Sequence, residues 1–271
     1  LQFPALRVLP WTDRTGNRLP ALHLQRADWR RTELARPCNP GPGQQGYFTR
    51  EQTIGIQGTP GLRIRSLEDR NQFHDPLNDA AALGISQAAW PLFGWPWASG
   101  VELATRVAAR PVQPGERMLE MGCGLALASL TAHRLGRDVT ASDLHPLTSR
   151  FLAFNLRLNG LSPMKYRRGH WDDPPHGRQA ARRSVRGRFE FLVGSDVLYE
   201  RDASCALAAF VLLHAASRAE VWIVDPDRGN RPAFRRVLLG AGFTVVEERL
   251  DRAAIDERPS YKGRLMRFIR T

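Results

Sequence analysis

Apolar and polar positions alternate through Gly61-Leu62-Arg63-Ile64-Arg65-Ser66-Leu67, a period of two that predicts a short strand. The stretch 36–46 before it is dense in proline and glycine and reads as a loop. Residues 81–100 are apolar but broken by glycine and proline, with Trp90, Trp95 and Trp97 among them. Val101, Leu103, Ala104, Val107 and Ala108 then recur at helical spacing over 101–110, and Pro111 and Pro114 end that helix. From Arg117 onward the pattern becomes regular. Strands are predicted at 118–121, 138–142, 164–170, 189–195 and 220–224, and helices at 125–135, 146–158, 203–216 and 232–239. Two final strands, 243–250 and 265–270, have no helix between them and are expected to pair antiparallel.

Strands that alternate with helices build a mostly parallel sheet covered on both faces. The expected fold is therefore α/β, a Rossmann-like sheet of seven strands with an antiparallel last strand. The domain is expected over 81–271, after a partly irregular N-terminal extension over 1–80. A length of 271 residues, 42% of them hydrophobic and 24% charged, suits one such domain with an extension.

Composition narrows the class. No run of about 18 apolar residues is present, so no membrane span is expected. The stretch 1–10 has no long apolar run ahead of a small-residue cleavage site, which argues against a secretory leader. Cys38, Cys123 and Cys205 are scattered, which fits neither a disulfide framework nor a zinc pattern and points to a reducing cytoplasm. The net charge of +12 raises nucleic-acid binding as a reading. Almost all of that charge is arginine, however, with Lys165 and Lys262 the lysines. Such a skew accompanies GC-rich coding, so a generally basic surface is favoured over a dedicated nucleic-acid patch.

The chemistry begins where the first regular strand runs into Glu120-Met121-Gly122-Cys123-Gly124-Leu125-Ala126. Two glycines at this spacing allow a sharp turn and a close backbone approach to a ligand. A dinucleotide fingerprint would need a third glycine at Leu127. An acid at Glu120 suits a cationic ligand without phosphate, as S-adenosyl-L-methionine is. Asp143 ends the next strand about twenty residues on, where a carboxylate accepts ribose hydroxyls; the competing role is a helix N-cap. Trp171 and Asp172 follow the third strand and could meet an adenine, and Trp97 could line the same pocket. Asp196 and Tyr199 follow the fourth, where Asp196 could orient an incoming ammonium and Tyr199 offer a ring face. The Asp173-Pro174-Pro175-His176 stretch stands after the wrong strand for an amino-methylating nucleic-acid motif and reads as a proline turn.

Four stretches carry a family resemblance over about residues 60–271. They are Trp97-Ala98-Ser99-Gly100-Val101-Glu102-Leu103-Ala104; 119–124 together with Asp143-Leu144-His145-Pro146 and 154–160; Ser195-Asp196-Val197-Leu198-Tyr199-Glu200; and Asp225-Pro226-Asp227-Arg228. The chain resembles the class I S-adenosylmethionine-dependent methyltransferases, and within them the non-histone protein lysine methyltransferases of the electron-transfer-flavoprotein beta-subunit type. It departs from them at Ala126, where a glycine is often seen, and at Trp95-Pro96, which sits two residues early. The resemblance implies S-adenosyl-L-methionine as cofactor and a lysine side chain of a protein as acceptor. It further implies Trp97, Glu120, Gly122, Cys123, Gly124, Asp143, Leu144, Trp171, Asp172 and Ser195 as cofactor residues, with Asp196 and Tyr199 catalytic and no metal. The alternatives are a small-molecule amine or RNA as acceptor, or a cofactor-binding protein without catalysis.

Overall fold

The computed structural model describes residues 46–171, 184–198, 205–254 and 260–271. Asp172, the 173–176 turn, Tyr199 and most of the 36–46 loop lie outside them. The chain opens with a hairpin, β1 (Thr49–Ile54) and β2 (Leu62–Leu67), paired antiparallel. Two short 3-10 turns, Ala81–Leu83 and Trp90–Gly94, lead to helix α1 (Ala98–Ala109). There follow β3 (Arg117–Met121), α2 (Leu127–Arg134), β4 (Asp138–Asp143), α3 (Thr148–Leu158) and β5 (Lys165–Arg168). The second half contains β6 (Phe189–Ser195), α4 (Ala206–His214), β7 (Ala215–Asp225), α5 (Arg231–Gly240), β8 (Thr244–Arg249) and β9 (Arg264–Arg270).

The large sheet has seven strands in the order β5-β4-β3-β6-β7-β9-β8. β9 alone runs against its neighbours, β7 on one side and β8 on the other. From β3 the chain winds outward through β4 to β5, then returns to β6 on β3's other side. That reversal opens a crevice at the carboxyl ends of β3 and β6, the place where open α/β sheets bind ligands.

Side-chain alternation decides which face each residue covers. Met118, Phe191, Val193, Trp222 and Val224 join the apolar layer shared with α1, α2 and α3. Leu119, Met121, Leu192, Val221 and Ile223 point the other way, to the layer shared with α4 and α5. Both faces are covered, which is why the central strands read as continuous apolar runs. Leu62, Ile64 and Leu67 of β2 are fully buried in the first layer, so the hairpin's inner face joins the same core.

Most element boundaries shift by a few residues from the sequence expectation, and the local geometry is plain at three of them. α4 ends at His214 and β7 begins at once with Ala215, whereas 215 and 216 were expected to be helical. Phe189 pairs with Ala215 before the register shifts to Phe191 with Glu220, and Arg188 donates from Nη1 to the Ala215 carbonyl at 2.7 Å. This partner at the helix end turns the chain straight into the strand. β5 stops at Arg168, and the Gly169 N–H makes the last bond to β4, on the Asp143 carbonyl at 3.1 Å. α2 starts at Leu127 because Ala126 is left-handed, with φ 59°.

Candidate active site

A cavity of about 750 Å³ lies at the carboxyl edge of β3, β4 and β6. Its floor is the glycine turn. Gly122 and Gly124 are both left-handed, with φ of 58° and 49°. A Cβ at Gly124 would lie 2.9 Å from the Phe93 carbonyl oxygen, so only glycine lets the turn pass beneath the 90–94 segment. Ala126 shares the left-handed geometry, which explains why glycine is usual there and why alanine is strained.

The acidic residues hold this turn in place. Asp143 accepts the Gly124 N–H at 2.8 Å through Oδ2 and the His145 N–H at 2.8 Å through Oδ1. It therefore fixes the glycine loop as well as capping the turn after β4. Glu120 accepts the Ser129 N–H at 2.7 Å and so satisfies a first-turn donor of α2. Burial pushes the Glu120 carboxyl up to about 7, against the pull of the Ser129 hydrogen bonds. Burial also raises Asp143, against the backbone N–H groups that it accepts. The Cys123 thiol is held far up by burial and then by the two carboxylates, so it is an apolar wall and no nucleophile.

All ten of the anticipated residues that the structure describes line this cavity: Trp97, Glu120, Gly122, Cys123, Gly124, Asp143, Leu144, Trp171, Ser195 and Asp196. Asp172 and Tyr199 lie outside the described residues. Trp97 also donates from Nε1 to the Leu92 carbonyl at 2.8 Å, tying the roof of the cavity to the start of α1.

Several lining residues escaped the sequence reading. Leu83, Ile85, Leu92 and Phe93 form an apolar roof, from the stretch that showed only as glycine- and proline-broken. His145 also lines the cavity, stacked on Phe93 with ring centroids 3.8 Å apart. Burial pushes its imidazole down to about 3, so the ring is neutral. His170 and Arg228 complete the wall. The signal for Arg228 was the Asp225-Pro226-Asp227-Arg228 motif and that for His145 the Asp143-Leu144-His145-Pro146 stretch; His170 had none.

Among the described residues, Trp171 Nε1, His170 Nδ1 and His145 Nε2 are buried polar atoms without a hydrogen-bond partner. With Asp196 Oδ1 they make four such atoms in one cavity, which are costly unless a ligand or water satisfies them. A molecule with nitrogen and hydroxyl acceptors and an apolar body fits this lining. S-adenosyl-L-methionine has those groups.

Asp196 follows β6 in a left-handed conformation, φ 57°, with its N–H on the Val224 carbonyl at 3.0 Å. Its Oδ1 lies 3.0 Å from Nη2 of Arg228. Burial pushes the Asp196 carboxyl up, against the pull of the Ser99 hydroxyl and the Arg228 guanidinium. Ser99 Oγ in turn lies 2.9 Å from the Tyr261 hydroxyl.

The sheet order, the glycine turn and the acid after β4 define the class: this is the seven-strand Rossmann-like fold of the class I methyltransferases, which the chain resembles. Ribosomal protein L11 methylase from Lactobacillus delbrueckii subsp. bulgaricus superposes with a TM-score of 0.51 at 16% identity, over 81% of this chain and 100% of its own. In sequence the chain is similar to electron transfer flavoprotein beta subunit lysine methyltransferase of Mus musculus, 24% identical over 192 residues, 69% of each chain. It is also similar to ribosomal protein L11 methyltransferase of Thermus thermophilus, 28% identical over 146 residues, 54% of this chain and 52% of that one. The match thus spans about half the length of the Thermus relative. No protein-family model matches the chain.

Proposed function

We propose that the chain is an S-adenosyl-L-methionine-dependent methyltransferase whose acceptor is the side-chain amine of a protein lysine. The observation that carries this reading is one cavity at the switch point of the sheet, with the glycine turn and Asp143 on one side and Asp196 on the other. Both curated relatives above are named for protein substrates, which favours a protein acceptor.

Trp97, Glu120, Gly122, Cys123, Gly124, Asp143, Leu144, Trp171 and Ser195 would hold the cofactor, which when bound supplies an electrophilic methyl group on a sulfonium. The sulfonium is a good leaving group, so the protein's task is chiefly to position a neutral nucleophile. A free lysine amine has a pKa of about 10.4 and arrives protonated. The apolar roof of Leu83, Ile85, Leu92 and Phe93 desolvates it and lowers that pKa. Asp196 supplies the acceptor that orients the ammonium. Its carboxyl is raised by burial, which suits Oδ1 to hold the departing proton until solvent takes it.

Incubation with methyl-labelled S-adenosyl-L-methionine and a lysate of the source organism tests the reading. A discrete labelled protein band that Asp196→Ala abolishes is the expected result. Label in RNA or in small amines, with no protein band, would transfer the reading to those acceptors. Bound cofactor with no transfer to any fraction would leave a binding protein without catalysis.

A further inference from the structure

We infer that Arg228 is the displaceable counter-ion of Asp196, and that it makes the site select an acceptor that arrives as a cation. The inference rests on the acceptor-side role proposed above for Asp196.

The two residues differ in how they are held. Asp196 is fixed at its backbone by the Val224 carbonyl, and its side chain is only 13% exposed. Its Oδ1 is buried and receives no well-directed hydrogen bond among the described residues, although the Arg228 guanidinium is 3.0 Å away. The pair is therefore close in charge but poor in geometry, unlike the bidentate forks that lock arginine to carboxylate.

Arg228 is anchored through its main chain instead. Its N–H donates at 2.8 Å to Oδ1 of Asp225, a fully buried carboxylate one position beyond the Val224 carbonyl that holds Asp196. Its side chain is 36% exposed and lines the cavity. The guanidinium can thus rotate toward solvent while its Cα stays fixed. The neighbouring Arg231 does not take its place: it is committed to Asp227 at 2.7 Å.

Moving the guanidinium away leaves a nearly buried carboxylate without a counter-charge, which is unfavourable. An entering ammonium restores the charge and so exchanges for the guanidinium at little cost. A neutral hydroxyl or amide of the same shape cannot. Arg228 therefore selects on charge, before the acceptor loses its proton, and competes with every cation that enters.

The test uses the full chain and two probes of matched shape, n-butylammonium and 1-butanol, titrated with and without S-adenosylhomocysteine. Removing the competing charge in Arg228→Gln is expected to tighten n-butylammonium binding about fivefold, the upper range for a partly exposed ion pair. Binding of 1-butanol should stay unchanged. Arg228→Lys, which keeps the charge, should bind both probes as the natural chain does. Asp196→Asn should remove the gain when combined with Arg228→Gln. Unchanged or weaker ammonium binding in Arg228→Gln, or no ammonium binding to any of these proteins, overturns the inference. Binding of S-adenosylhomocysteine is a separate readout. Its absence would refute the cofactor reading whatever the ammonium titration gives.

Discussion

Glu120 carries a conflict that one side chain cannot resolve alone: it is almost fully buried, at 3% exposure, yet it caps α2 best as a carboxylate. Its acid form has an ordinary value of 4.5 and is raised to about 7 in the fold. Between these two values the unfolded chain has lost the proton and the folded chain still holds it. Stability is therefore highest below 4.5, falls as pH rises toward about 7, and is level above that. A shift of this size corresponds to roughly 3 kcal/mol. Glu120→Gln should flatten that decline, as read by urea unfolding at about pH 5 and about pH 8. An undiminished slope in the variant would mean that another group carries it. At this scale the sequence was informative wherever backbone geometry limits the choice of residue. Gly122, Gly124 and Asp143 stand where a sharp turn and a strand end demand them, and all three line the cavity. The stacking of His145 on Phe93 was not legible, because the two rings stand fifty-two positions apart in the chain.

The hairpin is held to the sheet domain by an unusual pair of contacts. Asn155 and Asn159, one turn apart on α3 and at its end, reach the outer edge of β2. Asn155 accepts the Arg65 N–H at 2.8 Å and donates to its carbonyl at 3.3 Å; Asn159 does the same for Arg63 at 3.0 and 2.7 Å. Each amide imitates a neighbouring strand and satisfies an edge that would otherwise be open. Asn155→Leu should cost about 1 kcal/mol by leaving the half-buried peptide groups of Arg65 unpaired. Hydrogen exchange should show the amides of 63–65 opening faster, while those of β3 and β6 keep their protection. Equal protection in the variant would contradict the bracing role. Periodicity located β2, α1 and the strand–helix alternation, because each has one local period. It could not assign Asn155 and Asn159 to the hairpin, since their partners lie ninety or more residues away. It also placed the end of α4 too late, because the partner that ends the helix is Arg188, just before β6.

At the scale of the whole molecule, several arginines among the described residues join elements through carboxylates. Arg110 pairs with Glu116 at 2.6 Å and with Glu220 at 3.0 Å, and Arg137 pairs with Glu116 at 3.2 Å. Further pairs tie Arg252 to Glu102 and Arg264 to both Asp227 and Glu247. Among the described residues no helix is long and apolar enough to cross a membrane. What joins the parts is the sheet order: it brings the ends of β3, β4 and β6 to one edge and makes a single cavity of residues up to 145 positions apart. The central claim is that this cavity binds S-adenosyl-L-methionine through the glycine turn and the acid after β4. Calorimetric titration of the purified chain with S-adenosyl-L-methionine tests it most directly. One site is predicted, weakened by about tenfold or more, ~1.4 kcal/mol, in both Asp143→Ala and Gly124→Ala. No binding by the natural chain, or binding that neither substitution disturbs, would contradict the account.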